Sequence, residues 1–276
     1  MTRFKRSHDD SNSGDDGHYY ISISDLMTSL LFIFILILTY VMLSFVKKEE
    51  VLNVEIVQVV KQVEELKKKE NILSDQIKKI EQNIEYRGEL LQDLQEELYN
   101  QNINVEIDKE NGNMRLKSDL LFKSGSADIS LEGKRQIDEI AKLIMIKMLE
   151  KKYIMAIDTI FIEGHTDTVP IRGTKGYRLQ WSNKELSAQR AINTYSEMLS
   201  ATDNKINNLK NKKGKSLLSY SGYADTRQLC KEDKFNLEDL MNTEELKVCR
   251  SKNRRIEFYF TVNTPDVQKM KEYIHD

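Results

Sequence analysis

The stretch IDTIFIEGHTDTVP, residues 157–170, decides how the C-terminal half of this chain folds. Through His165 it is dense in isoleucine, threonine and phenylalanine, the composition of a buried strand. It then runs into Thr166 and Asp167, a polar pair at the strand's end. By itself Asp167 reads either as a turn or capping residue or as a binding group. The flanking segments alternate helix and strand. Ser130 to Glu150 carries Ile137, Ile140, Ala141, Ile144 and Met148 at helical spacing, with Ser130 as N-cap. NKELSAQRAINTYSEML (183–199) reads as a second helix, SLLSYSGYA (216–224) as a strand and RRIEFYFTV (254–262) as a closing strand. Upstream, INVEID and NMRLKS alternate apolar and polar residues around the turn-forming ENG, as paired strands do. Together they predict a mixed α/β domain over residues 101–264, long enough for its own core.

The chain ahead of that domain is different in kind. The whole has 276 residues, a formal net charge of −2 and 31% charged residues, so its charge gives no reason to expect direct contact with nucleic acid. From Leu26 to Val46, however, no charged residue occurs. About 21 helical residues rise roughly 30 Å, the thickness of a bilayer's hydrocarbon core. The run is too long for a signal-peptide core, and Lys47, Lys48, Glu49 and Glu50 follow it in place of a small-residue cleavage site. It therefore reads as an uncleaved anchor, a transmembrane helix over residues 19–46 behind a disordered tail over 1–18. Arg3, Lys5 and Arg6 precede it and Lys47 and Lys48 follow, a bias too small to fix the orientation.

Between anchor and domain, residues 47–100 keep one register. Leu52, Ile56, Val59, Val63, Leu66, Leu73, Ile77, Ile80, Ile84, Leu91, Leu94 and Leu98 recur in steps of four and three, interrupted at Glu70 and Arg87. A sustained 3.5-residue period among charged flanks is the signature of a coiled coil. β-branched residues at the a positions with leucine at several d positions favour a parallel dimer, a stalk of about 70 Å. The alternative is a single amphipathic helix lying on its own domain.

Four ordered motifs, FIEGHTDTVP (161–170), NKELSAQRA (183–191), GYAD (222–225) and NRRIEF (253–258), resemble the C-terminal peptidoglycan-binding domain of the OmpA-like family. LLFKSGSADIS (120–130) resembles that family's opening segment. The resemblance covers roughly residues 103–263 and implies an OmpA-like α/β sandwich domain; with the transmembrane helix and dimeric coiled-coil stalk read above, the expected architecture is α+β, closed by a short tail over 265–276. The resemblance also implies a ligand, the free carboxylate and amine of a diaminopimelate-containing stem peptide. Asp167 would meet the amine and Arg190 the carboxylate, with Thr166 and Asn183 beside them and Arg254 and Arg255 from the NRR motif. A zwitterionic end calls for one fixed anion and one fork-shaped cation, so the chemistry is coherent. Arg255 reads equally as a strand-end salt-bridge partner. The segments 168–182 and 222–253 are longer than the family pattern, and Ala224 stands where the family usually has a second glycine.

No cluster of His, Cys, Asp and Glu has the sequence spacing of a metal site, and no nucleophile motif such as G-x-S-x-G occurs. The expectation is a protein that is not an enzyme, with no resident cofactor or metal. Cys230 and Cys249, nineteen apart, are the chain's two cysteines. If the domain lies outside the cytoplasm, as a wall-binding domain must, they are expected to form a disulfide worth about 3 kcal/mol; the alternative is a pair of buried thiols. That placement puts the N-terminus in the cytoplasm and the anchor in a bacterial inner membrane.

Asp25 then sits near the cytoplasmic end of the anchor. ISDLMTSLLFIF (23–34) resembles the membrane helix of MotB-type stator proteins, and the order of short basic N-terminus, acidic membrane helix, linker and OmpA-like domain matches that class. The resemblance implies that Asp25 carries H+ or Na+, with Ser24 and Thr28 as candidate hydroxyls along its path. The plain alternatives are an interfacial carboxylate favoured by the helix dipole and ordinary helix-lining hydroxyls. The long heptad stalk and expanded loops resemble the ZorB-type subunits of Zorya anti-phage defence systems. That resemblance implies a homodimer within a ring of a ZorA-type multi-spanning partner. A flagellar stator subunit and a passive membrane-to-wall tether are the competing readings.

Overall fold

The computed structural model describes residues 15–123, 125–170, 182–234 and 244–265, with side chains from residue 24 onward. Two compact units emerge, Met1–Asn71 and Ile72–Asp276. Helix α1, Asp15–Asn100, enters both. Its first unit contains the one helical stretch, among the described residues, that is long and apolar enough to cross a membrane. From Leu26 through Ile84 nearly every large apolar side chain of α1 is exposed. Helicity begins at Asp15, ahead of the expected start at residue 19, while residues 1–14 of the expected tail lie outside the described residues.

In the second unit the chain continues through β1 (Glu106–Asp108), β2 (Asn113–Lys117), α2 (Ser118–Leu121), α3 (Leu131–Lys147), α4 (Lys151–Ala156) and β3 (Ile157–His165). It then forms α5 (Asn183–Ala201), a short 3-10 turn (Lys205–Asn208), β4 (Leu218–Ala224), another such turn (Glu232–Lys234), α6 (Glu244–Asn253) and β5 (Arg255–Val262). The five strands form one mixed sheet in the order β1-β2-β5-β3-β4. β3 pairs parallel with β4 and antiparallel with β5. Its central position, flanked on both edges, accounts for the full burial of Ile157, Ile160 and Ile162. Ser130 caps α3 by accepting from the Gly133 amide at 2.9 Å. Ser182 and Glu185 form a capping box at the start of α5.

Two glycines bring α5 onto the sheet. A Cβ on Gly164 would lie 2.0 Å from the Ser187 carbonyl oxygen, and one on Gly222 would lie 2.4 Å from the Ala188 nitrogen. Neither distance is sterically possible, so both strands need glycine where the helix crosses. The β3–β4 register shifts just after Gly164. Ala224 there adopts a left-handed φ of 50°, the conformation that explains the family's preference for glycine at this position.

The stalk reading needs correction at its C-terminal end. Leu90, Leu91, Leu94 and Leu98 are fully buried in the core of their own domain, with Ile137, Ile140, Ile144 and Tyr153. Arg87, which breaks the heptad, is buried because its guanidinium donates to the backbone carbonyls of Phe260, Lys109 and Glu110. Asp93 accepts from the Tyr153 hydroxyl at 2.8 Å and pairs with Lys147. The last turns of α1 are thus part of the folded domain, which does not begin at residue 101, and the coiled-coil register applies at most to the turns before them. The helix expected over 130–150 is also followed by a separate one, α4, before β3 begins.

Candidate functional site

The C-terminal end of β3 opens into a cleft of about 720 Å³. Four parts of the domain close on it: α2 with Asp119 and the following Phe122, the turn after β3, the first turns of α5, and α6 running into Arg254. Of the residues singled out in the sequence, Thr166, Asp167, Asn183, Arg190 and Arg254 all line it.

Arg254 is the hinge of the charge arrangement. Its Nη1 donates to Asp167 at 2.7 Å, and its Nη2 and Nε reach Asp119, the closer contact being 2.6 Å. The hydrogen bonds it donates to Asp119, with the one to Asp167, raise its pKa against the effect of burial, so it stays charged. Two carboxylates sharing one guanidinium leave one net negative charge in this group. Arg190, from α5, lines the same cleft. It is buried, donates from Nε to the Ser126 carbonyl at 2.9 Å and lies 5.1 Å over the Phe122 ring. Burial lowers its pKa to about 10, with Asp119 and Asp167 opposing that shift and Arg254 adding to it. At neutral pH it therefore remains a cation, one poorly hydrated and ready for a bidentate acceptor.

Asn183 works at one remove. Its amide donates to the carbonyls of Asp167 and Val169, each at 3.1 Å, and so holds the turn that carries the carboxylate. The Asp167 side chain also accepts from the Val169 amide at 3.1 Å. Among the described residues the buried Thr166 hydroxyl has no hydrogen-bond partner, a polar atom at the cleft wall.

Arg255 does not join this group. Adjacent residues entering a strand point to opposite faces, so the NRR motif splits: Arg254 to the cleft, Arg255 to the other side. There Arg255 Nε pairs with Glu257 at 2.9 Å, and Arg115 Nε takes the other oxygen at 2.8 Å. His165 is buried beside them, with Glu257 and Glu163 oxygens 3.5 and 3.6 Å from its Nε2 and Tyr223 stacked on its ring. Glu163, His165 and Glu257 could together hold a metal ion, a cluster that sequence spacing did not reveal because β3 and β5 assemble it. Arg115, Arg255 and Arg227 already compensate its two carboxylates, which makes it a poor host for a further cation.

Sequence reasoning missed Asp119, Lys247 and Arg250, which line the cleft, and Glu232, which braces it. Glu232 accepts from the Thr168 hydroxyl at 2.6 Å, from Asn253 at 2.9 Å and from Arg250 at 3.1 Å. Burial pushes its pKa up, but these hydrogen bonds outweigh it and leave the carboxylate below its ordinary range. The SDLL and EELKVCRSKN segments carry no local signal for a site; only the fold brings them to Asp167. Cys230 and Cys249 form the expected disulfide. Much of the long segment after Asp167, residues 171–181, lies outside the described residues.

In the first unit, Asp25 is exposed on α1. Thr28, three residues on and on the same side, donates its hydroxyl to the Ser24 carbonyl one turn back. That is how a hydroxyl satisfies itself in an apolar helix, and the Thr28 oxygen keeps its acceptor lone pairs.

A single mixed sheet with helices, opening at the end of β3 into a cleft lined by carboxylates and arginines, is the domain that the described residues define. Residues 121–234 match the OmpA family, and the C-terminal domain is OmpA-like in that sense. Among solved structures the chain is similar to a MotB-like protein from Desulfovibrio vulgaris, at 18% identity and a TM-score of 0.47 over 67% of this chain and 97% of that one. It is similar to the periplasmic domain of Helicobacter pylori MotB (residues 90–256), at 25% identity and a TM-score of 0.40 over 59% and 80%. It is also similar to the cell wall anchor of the T6SS from Pseudomonas aeruginosa, at 18% identity and a TM-score of 0.43 over 63% and 97%. No curated protein matches the chain.

Proposed function

We propose that this chain is a membrane-anchored subunit whose C-terminal domain holds peptidoglycan by the zwitterionic end of a stem peptide. The observation that carries the reading is that one cleft is lined by both the Asp119–Arg254–Asp167 group and the buried Arg190. A ligand ammonium matches the first and a ligand carboxylate the second, with the Thr166 hydroxyl beside them. Asn183 and Glu232 position these groups and do not touch the ligand; Arg255 holds the sheet from its other face. Nothing in this role requires a bond to be made or broken, so the chain acts as a binder rather than an enzyme.

The finer part of the proposal concerns Asp25. A carboxylate within an apolar helix is costly to leave charged against lipid, by roughly 2.5–3.5 kcal/mol at a helix centre. Such groups work where a partner protein supplies a water-filled path. We read the chain as the ion-carrying subunit of an H+- or Na+-driven motor. It would be a homodimer, Zorya-like in its layout, acting in an inner membrane with a multi-spanning ZorA-type ring and with its N-terminus in the cytoplasm. The OmpA-family match, the apolar helix and the disulfide, a bond suited to an oxidising compartment, support this reading.

Co-sedimentation of the detergent-solubilised full chain with purified peptidoglycan tests the wall-binding part. Arg190→Ala and Asp167→Asn should each weaken binding at least about tenfold, the expected size for one charge-assisted hydrogen bond in a buried site. Unchanged pelleting of both variants would sink the reading.

A further inference from the structure

The cleft carries more positive charge than a zwitterionic ligand end requires. Asp119, Arg254 and Asp167 sum to one negative charge, and Arg190 offsets it. Two more cations line the same cleft, Lys247 and Arg250, both from α6. Arg250 is matched by Glu232, which also fixes it in place. Lys247 is paired outside the residues lining the cleft. Its partner is Glu244 at 2.8 Å, three residues back on the same helix. Both side chains are well exposed, and pairs of that kind contribute little and exchange readily.

α6 is firmly placed. Cys249 ties it to Cys230, and at its last residue Asn253 accepts from the Leu229 and Cys230 amides and donates to the Cys230 carbonyl. Asn253 also reaches Glu232, which grips Thr168 next to Asp167. A covalent bond and a buried polar network thus hold one helix at the rim of the cleft, its cations toward the ligand.

We propose that α6 is a second anion-binding arm of the cleft, through which the site prefers stem peptides that keep a second free carboxylate over those in which it has become a carboxamide. The inference rests on the wall-peptide reading and adds to it the determinant of which wall chemistry is accepted. A carboxylate at Lys247 replaces a solvent-exposed intrahelical pair with a contact at the cleft rim. A carboxamide brings no charge and gains nothing there.

The test is calorimetric titration of the full chain in detergent with two synthetic probes. One is a diaminopimelate tripeptide with free carboxylates; the other is the same peptide amidated at one of them. At low ionic strength the wild type should prefer the free acid by about threefold to tenfold, and added salt should shrink that margin. Lys247→Gln should remove the preference, leaving equal affinities for the two peptides. Equal wild-type affinity for both probes, or a preference that survives Lys247→Gln, overturns the inference and leaves wall binding standing. Failure of the wild type to bind either probe overturns the wall-peptide reading, and this inference with it.

Discussion

Asp167 and His165, two residues apart, show how one strand end serves two faces of a sheet. Asp167 reaches the cleft; His165 is shut inside a cluster of Glu163, Glu257, Arg255, Arg115 and Arg227. Burial lowers the His165 pKa below its ordinary value, Arg255 adding to that shift and the two glutamates opposing it. An unfolded chain therefore takes up this proton at about pH 6.5, while the folded one resists it. The stability from keeping His165 neutral is complete above that pH and drains away as pH falls below it. Between pH 6.5 and 5 the wild-type denaturation midpoint should drop, by at most about 1.4 kcal/mol per pH unit in free energy. His165→Gln should flatten that limb. Equal slopes in the two proteins would mean that another group governs it. The carboxylates held below their ordinary range, Asp93, Asp108, Glu132, Glu185 and Glu232, act at lower pH than this.

Helix α1 shows why a period in a sequence does not name its partner. Steps of four and three predict an apolar stripe from Leu52 to Leu98, but the same stripe fits a second copy or the chain's own domain. The stripe changes character near Arg87: before it most of the apolar residues are exposed, and from Leu90 on they are buried at home. Arg87 marked the change in the sequence, since its guanidinium is needed by the carbonyls around Glu110. Strand limits were legible for a simpler reason. IDTIFIEGH concentrates isoleucine and phenylalanine because β3 is central, with Ile157, Ile160 and Ile162 fully buried, and the structure begins and ends it on the same residues. α6 was not legible, because a polar helix fastened by a disulfide and Asn253 has no apolar period to read. If the upstream turns pair between copies, Val63→Cys should give an intermolecular disulfide in membranes and Leu94→Cys should not. Leu94→Ala should instead cost about 2–5 kcal/mol, as a cavity in the domain core. Cross-linking at Leu94, or none at Val63, would defeat this division of the helix.

At the scale of the whole chain, two features make sense together that neither explains alone. A wall-binding domain needs only a tether, and an apolar helix exposed on all sides needs only lipid. The carboxylate of Asp25 is surplus to both, and a neutral residue would serve a tether better. Its side shares Thr28, whose oxygen lone pairs suit a proton donor or a sodium ion. Holding the domain to the wall would let such a group do work, because a membrane potential acts on a carried charge with about 2.3 kcal/mol per 100 mV. Asp25→Asn keeps shape and hydrogen bonding but removes the charge. In cells carrying the whole operon, at equal membrane levels, it should abolish protection in a phage-plating assay while wall co-sedimentation stays at the wild-type level. Protection retained would make Asp25 a boundary residue and the protein a tether. A wild type that fails to protect, yet whose Asp25→Asn variant loses motility, would move the same ion chemistry to a flagellar motor.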